Sequence, residues 1–271
     1  MQSSPQSIME ALEPRRLMAA TVEGLRVLII TADDTPTTVD INVVSRTTFT
    51  LTIDGGAPVD YSLRRVRGVR FFGGAGDDVF RINSLATDPA NGIRRAVLFN
   101  RKAVIWGGDG NDTIYDGYGN SRINGGLGND TIYGGGGSDN IVGSAGDDII
   151  FGGPRDTEPS LRDGNDVIFG GSGNDTIDGG RGNDVMFGQD GDDILIGSTS
   201  RDALYGNAGN DTLIGGPDRD ILYAGGQDGD ILQDVQDRDR ANRGELKGMT
   251  LYLSRIVRAY VPAAMQADAR L

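Results

Sequence analysis

The chain has 271 residues, no cysteine, no histidine and a formal net charge of −13. Without cysteine or histidine it can form no disulfide, no zinc site built on thiolates or imidazoles, and no catalytic triad that uses histidine. The negative charge disfavours nucleic acid and anionic membranes as partners and favours cations. No stretch approaches the roughly 18 consecutive apolar residues of a membrane-spanning helix.

Residues 1–21 are predicted to be an unstructured leader. They lack the long apolar stretch after a basic start that marks an ordinary secretory signal. The segment LEPRRLMAA at 12–20 resembles the L-E-P-R-x-L-L motif found near the start of many bacterial surface and exported proteins, with Met18 where the second leucine is usual. The resemblance implies export to the cell surface or beyond. The alternative is a short polar leader with a helical tendency.

Residues 22–106 are predicted to form short β-strands of an irregular solenoid that continues into the segment that follows. Runs such as LRVLII and TFTLTI alternate apolar and polar residues, and turn signals such as DGG separate them. This part contains no G-x-S-x-G motif and no carboxylate pair whose spacing specifies a site, so no catalytic residue is predicted. Four arginines are interpreted as a solvated edge: Arg64, Arg65, Arg67 and Arg70.

From Gly107 the sequence repeats every nine residues. Residues 107–233 carry 23 acidic and 6 basic side chains and 33 of the 43 glycines. A segment of this composition stays disordered unless something neutralises and orders it. The register runs unbroken from GGDGNDTIY to GGPDRDILY, and one inserted residue, Ala224, precedes a last copy at 225–233. An outlying copy, GGAGDDVFR, lies at 73–81.

These copies resemble the G-G-x-G-x-D-x-U-x nonapeptide of the RTX, or haemolysin-type, calcium-binding repeats. The resemblance implies an all-β fold, a right-handed parallel β-roll with several calcium ions between stacked loops. The residue types agree with it. Glycines at positions one, two and four permit positive φ and close approach of loop backbones, and the aliphatic residue at position eight points inward from a short strand. Because this core is thin, metal binding is expected to contribute to folding itself.

If two nonapeptides make one coil, the aspartates at position six separate into two ladders. The first is predicted to be Asp112, Asp130, Asp148, Asp166, Asp184, Asp202 and Asp220. The second is predicted to be Ser121, Asp139, Thr157, Asp175, Asp193, Asp211 and Asp230. Asp78, from the outlying copy, is expected to stack near Asp112. The alternative is that these aspartates only make hydrogen bonds within turns.

Calcium takes six to eight oxygen ligands, which aspartates of stacked loops and main-chain carbonyls can supply. The slots at Ser121 and Thr157 are expected to be weak or empty. Loops without glycine at position four, at Arg155, Ser200, Asp218 and Asp228, are also doubtful. The favoured pairs are Asp112/Asp130, Asp130/Asp148, Asp166/Asp184, Asp175/Asp193 and Asp193/Asp211.

Position nine carries an aromatic residue in every second repeat. Because positions seven and nine flank the inward residue, one sheet is predicted to present a continuous apolar outer face about 300 Å² in area. The face would be covered by another part of the chain, or would bind a partner such as a protein or carbohydrate. Its residues would be Tyr115, Tyr133, Phe151, Phe169, Phe187, Tyr205 and Tyr223.

Residues 234–271 are predicted to be a linker and a cap. The stretch 234–243 is polar, whereas 245–260 places apolar residues at helical spacing, although a strand there is also possible. This second segment is expected to cover the aromatic face or to close the last coil.

The sequence thus favours a secreted or surface calcium-binding protein with a structural or interaction role and no enzymatic activity. Two alternatives stay open. One is an adhesion or ligand-binding module that uses the aromatic face from Tyr115 to Tyr223. The other is the repeat region of a secreted hydrolase, which the absence of histidine and of a nucleophile elbow disfavours.

Overall fold

A computed structural model describes residues 18–22, 27–45, 47–83, 85–87, 94–96, 100–154, 163–225, 229–233 and 240–242. Over these residues the regular secondary structure is 24 β-strands and no helix. In chain order the strands are β1 (Met18–Val22), β2 (Val27–Thr31), β3 (Thr38–Val43), β4 (Thr48–Ile53), β5 (Val59–Ser62), β6 (Gly68–Ala75), β7 (Val79–Asn83), β8 (Leu85–Thr87), β9 (Arg94–Ala96), β10 (Lys102–Asp109), β11 (Thr113–Tyr115), β12 (Arg122–Leu127), β13 (Thr131–Tyr133), β14 (Asn140–Ala145), β15 (Ile149–Phe151), β16 (Val167–Ser172), β17 (Thr176–Asp178), β18 (Val185–Asp190), β19 (Ile194–Ile196), β20 (Ala203–Ala208), β21 (Thr212–Ile214), β22 (Ile221–Gly225), β23 (Ile231–Gln233) and β24 (Arg240–Asn242).

From β10 onward, successive strands alternate between two 11-stranded sheets, as in a solenoid. Sheet A has the order β1-β2-β6-β10-β12-β14-β16-β18-β20-β22-β24, and sheet B has the order β23-β21-β19-β17-β15-β13-β11-β7-β3-β4-β5. Along the repeats the neighbours within each sheet are parallel and in register, so that Ile123 lies opposite Ile141 and Ile114 opposite Ile132. A separate two-stranded hairpin pairs β8 with β9.

The core is a double column of aliphatic side chains between the two sheets. Along the repeats it consists of the residues at position eight, because neighbouring residues of a strand point to opposite sides. Ile150, for example, is fully buried, whereas Ile149 beside it is 44% exposed. The buried column contains Ile114, Ile123, Ile132, Ile141, Ile150, Ile168, Ile177, Met186, Leu195, Leu204, Leu213 and Leu222.

The nine-residue count fails between β15 and β16. Counting in nines places a strand at 158–160, but the chain passes from β15 in sheet B to β16 in sheet A in one half-coil. The copy GGPRDTEPS at 152–160 carries two prolines, which cannot donate to a strand ladder, and no aliphatic residue at position eight. Residues 155–162 lie outside the described part. The chain after this segment therefore lies in the opposite sheet from the one the count predicts.

The predicted continuous aromatic face is wrong for this reason. Tyr115, Tyr133 and Phe151 stack on sheet B, with ring centroids 4.8 and 4.7 Å apart, and Arg81 lies over the Tyr115 ring. The next aromatics stack on sheet A instead, and three of them are buried. That second column contains Phe169, Phe187, Tyr205 and Tyr223.

The upstream strands extend the same two sheets. Strands β2, β6 and β10 pair in parallel in sheet A, and β3, β7 and β11 do so in sheet B. Between the sheets, Phe71 and Phe80 stack with ring centroids 4.9 Å apart. Strand β1 pairs antiparallel with β2, so residues of the predicted leader from Met18 onward form a strand. The four arginines of the predicted solvated edge are exposed.

The sheets also continue past the last repeat. Strand β24 pairs in parallel with β22, so three residues of the predicted polar linker over 234–243 form a strand of sheet A. The predicted cover at 245–260 lies outside the described residues. Within the described part of the chain, no helix has the length and apolar character needed to cross a membrane.

Candidate calcium sites along two aspartate ladders

The position-six aspartates form two stacks, one at each edge of the roll. In the first stack, ladder A, each aspartate accepts a hydrogen bond from the coil before it. The Asp112 main-chain N–H donates to Oδ1 of Asp130 at 2.7 Å, and the Asp130 N–H donates to Oδ1 of Asp148 at 2.7 Å. The series begins with the Thr37 N–H, which donates to Asp78 at 2.7 Å. Ladder A contains Asp78, Asp112, Asp130, Asp148, Asp175, Asp193, Asp211 and Asp230.

Ladder B lies at the other edge. The Ser121 N–H donates to Oδ1 of Asp139 at 2.7 Å, and the Asp139 N–H donates to Asp166, 27 residues further on, at 2.7 Å. Its members are Ser121, Asp139, Asp166, Asp184, Asp202 and Asp220.

The two ladders differ from the predicted ones beyond Asp148. Asp166, Asp184, Asp202 and Asp220 do not follow Asp148, because the half-coil between β15 and β16 moves them to ladder B. The stacking of Asp78 below Asp112 is confirmed. The five favoured pairs are also stacked neighbours, since none of them crosses the irregular half-coil. Their role as calcium ligands stays a prediction.

The second carboxylate oxygen of each ladder aspartate has no hydrogen-bond partner. Oδ1 accepts a main-chain N–H, but Oδ2 is buried without a donor in all 13 ladder aspartates. Side chains such as Asp112 and Asp130 are only 1% exposed. A buried anionic oxygen without a donor is costly, and a bound cation removes that cost.

Glycine at position one lets Oδ2 of the ladder aspartate lie directly against the loop backbone. A methyl group on Gly107 would overlap both Oδ2 of Asp112 and the carbonyl oxygen of Gly125 in the next coil. Gly125 faces Asp130 and the Gly143 carbonyl in the same way. Position one does not have positive φ here, unlike positions two and four, so its glycine is required for space rather than for conformation. A carboxylate oxygen and a carbonyl oxygen converge on this space, and both are types of oxygen that calcium binds in proteins.

Burial raises the pKa values of the ladder carboxyls. The pKa is raised to about 6 for Asp112, to about 7 for Asp184 and to about 8 for Asp130 and Asp193. Desolvation is the largest cause in each case and main-chain hydrogen bonds oppose it. Aspartates of neighbouring coils raise the pKa of Asp130 further. Without metal, the ladder carboxyls thus bind protons near neutral pH. A bound divalent cation would instead compensate their negative charge.

The described residues contain no group of three or more acidic side chains that could hold a metal. The stacked ladder offers carboxylates from two loops at each slot between coils, and main-chain carbonyl oxygens would supply the remaining ligands. This donor set is all oxygen, which suits calcium and excludes metals that prefer nitrogen or sulfur.

Two of the doubtful loops keep the ladder geometry. Ser200 and Asp218 take the place of glycine at position four with φ of 87° and 120°. The Asp184 N–H still reaches Asp202, and the Asp202 N–H still reaches Asp220, both at 2.8 Å. The other doubtful positions, Thr157, Arg155 and Asp228, lie outside the described residues.

Sequence reasoning missed a second, outer ladder made by the residues at position five. The Asn129 N–H donates to the Asn111 side chain at 2.7 Å, and the Asp147 N–H donates to Asn129 at 2.9 Å. The preference for asparagine or aspartate before the ladder aspartate was the available signal. This exposed ladder ties the loops together without a metal.

Two parallel sheets around a double column of aliphatic side chains, edged by stacked aspartates and glycines, define a calcium-binding β-roll repeat protein. Four copies of the family model of the RTX calcium-binding nonapeptide repeat match residues 106–141, 133–154, 162–195 and 196–231. The repeat segment of this chain belongs to that family. A search of curated proteins finds no match to the chain.

Proposed function

We propose that this protein is exported, and that its β-roll folds on binding calcium outside the cell and serves there as a structural or interaction element without catalysing a reaction. The observation that carries the proposal is the set of 13 buried aspartate oxygens without a donor. A metal-free roll would bury these carboxylates uncompensated or protonated, whereas calcium would bind the folded state selectively and stabilise it by mass action.

The chemistry of the sites also supports the location. Extracellular calcium modules work with dissociation constants of about 10⁻⁴ to 10⁻³ M, far above the calcium concentration inside cells. A chain whose repeats are strongly acidic would stay loose inside the cell and fold once exported. The LEPRRLMAA segment near the N-terminus supports export independently.

A calcium titration followed by circular dichroism tests the coupling of folding to the metal. The β-sheet signal is expected to appear between chelator and millimolar calcium. Magnesium should not replace calcium, because it demands near-ideal octahedral geometry and gives up its waters reluctantly. Equal β content in chelator and in calcium would disprove metal-coupled folding.

Protease accessibility on intact producing cells tests export. A tagged chain is expected to be digested from outside or recovered from the medium, while a cytoplasmic marker stays protected. Recovery of the chain only inside intact cells would contradict the proposed location.

A further inference from the structure

The repeat DGYGNSRIN at 116–124 has exchanged two residue types. It carries Ser121 at position six, where the ladders carry aspartate, and Asp116 at position one, where glycine is usual. Asp116 occupies the same place in its coil as the glycines of the coils above. Its N–H donates to the Tyr133 carbonyl at 2.9 Å, just as the Gly134 N–H donates to Phe151 at 2.8 Å.

A side chain at this place points into the slot between coils. A methyl group on Gly152 would lie 2.6 Å from Oδ2 of Asp166, and one on Gly197 would lie 2.6 Å from Oδ2 of Asp202. Asp116 supplies a real side chain in that direction. Its carboxylate therefore enters the slot from position one, and the short Ser121 side chain leaves it room.

The Asp116 carboxylate is buried and unpartnered. The side chain is 8% exposed, and neither of its oxygens has a hydrogen-bond partner. The Ser121 hydroxyl lies close to it but donates to the Gly119 carbonyl at 2.9 Å and accepts the Ala103 N–H at 3.1 Å. Burial raises the pKa of Asp116 to about 7, against the lowering effect of the nearby Ser121 hydroxyl and Gly117 amide.

Asp139 faces the same slot from the next coil. Its Oδ1 accepts the Ser121 N–H at 2.7 Å, and its Oδ2 is buried without a donor. The Ser121 hydrogen bond links Asp139 to the repeat that carries Asp116. Burial raises the pKa of Asp139 well above its usual value, and the negative charge of Asp116 raises it further. Two buried carboxylates without donors meet here, as they do in the regular slots.

We propose that Asp116 and Asp139 hold a calcium ion at the first slot of ladder B, with Asp116 replacing the missing position-six carboxylate. The inference rests on calcium binding by the roll and assigns a site at a slot that the repeat pattern marks as weak or empty. It makes position one a second place from which a repeat can supply its acidic ligand.

Counting bound ions by native mass spectrometry in calcium tests the assignment. Asp116→Asn and Asp116→Gly are each expected to bind one ion fewer than the unmodified chain. The double variant Asp116→Gly/Ser121→Asp returns the carboxylate to position six and is expected to regain the lost ion. Asp190→Asn is the matched control, because it removes one charge from an exposed repeat position and should leave the count unchanged.

Circular dichroism in calcium verifies that each variant has folded before its ions are counted. An unchanged count in Asp116→Asn and Asp116→Gly would mean that Asp116 only fills space, and would overturn the assignment. Should the single variants not fold, the double variant decides, since a folded double variant with an ion count below that of the unmodified chain would also overturn it. Absence of calcium from the unmodified chain would instead disprove the proposed function, so the two failures are distinguishable.

Discussion

Replacing Asp166 with asparagine is expected to change stability in opposite directions with and without calcium. Asp166 lies within ladder B, where its Oδ1 accepts the Asp139 N–H at 2.7 Å and its buried Oδ2 has no donor. Asparagine keeps the first interaction, because its amide oxygen can accept the same N–H. It removes the negative charge from the second position.

The size of the effect without calcium follows from the carboxyl's pKa. Burial raises the pKa of Asp166 from 3.8 to about 8. Each pK unit corresponds to about 1.4 kcal/mol, so near neutral pH this one residue costs the metal-free folded state roughly 5 kcal/mol. Burying an unpaired amide N–H costs about 1–3 kcal/mol in return. The metal-free roll should therefore gain roughly 2–4 kcal/mol in the free energy of unfolding.

In calcium the sign reverses, because the variant has lost a charged ligand. The apparent calcium affinity of the affected slots is expected to fall about tenfold or more, which lowers the stability of the calcium-bound roll by about 1.4 kcal/mol or more.

Urea denaturation in millimolar calcium measures the second effect, and the pH at which the metal-free roll loses its β-sheet signal in chelator measures the first; circular dichroism follows both. Asp190→Asn, exposed and outside the ladders, should shift the free energy of unfolding by less than about 0.5 kcal/mol in either condition. A loss of stability of similar size with and without calcium would refute the reasoning, since it would show that Asp166 acts through its hydrogen bonds alone.

Three further predictions concern the metal-free fold, the core and the glycines. Carboxyls whose pKa is raised on folding bind more protons in the folded state than in the unfolded state. The metal-free roll should therefore be most stable below about pH 4 and should lose β content as the pH rises toward about 8. Circular dichroism in chelator measures this, and a rise in β content over that range would contradict it. In calcium, Ile150→Ala should lower the free energy of unfolding by about 2–5 kcal/mol, because this side chain is fully buried. Ile149→Ala should lower it by less than about 0.5 kcal/mol, because that side chain is 44% exposed. Equal losses in urea denaturation would count against an inward side chain only at position eight of the strand. Gly125→Ala should weaken calcium binding measured by calorimetry, because its methyl group would overlap Oδ2 of Asp130. Asp190→Asn, exposed and outside the ladders, should leave binding unchanged, and equal binding by both variants would contradict the role of Gly125.

The repeat pattern determined most of the local structure. The nine-residue period specifies which residue points inward, because a strand alternates its side chains, and Ile114 to Leu222 are buried as predicted. It also specifies which aspartates stack wherever copies follow one another without interruption. The pairs Asp112/Asp130 and Asp193/Asp211 follow from counting alone.

The tertiary structure decided what counting cannot. Which sheet the chain joins after the degenerate copy at 152–160 depends on pairing between coils. Strand β16 pairs with β14 in sheet A, and this exchanges the two ladders and divides the aromatic column. The sequence likewise records Ser121 as a missing carboxylate. Only the stacked coils show that position one points into the same slot as position six, because that juxtaposition arises when the loop closes. Asp116 thereby becomes a candidate ligand where the repeat pattern alone predicts a weak or empty slot.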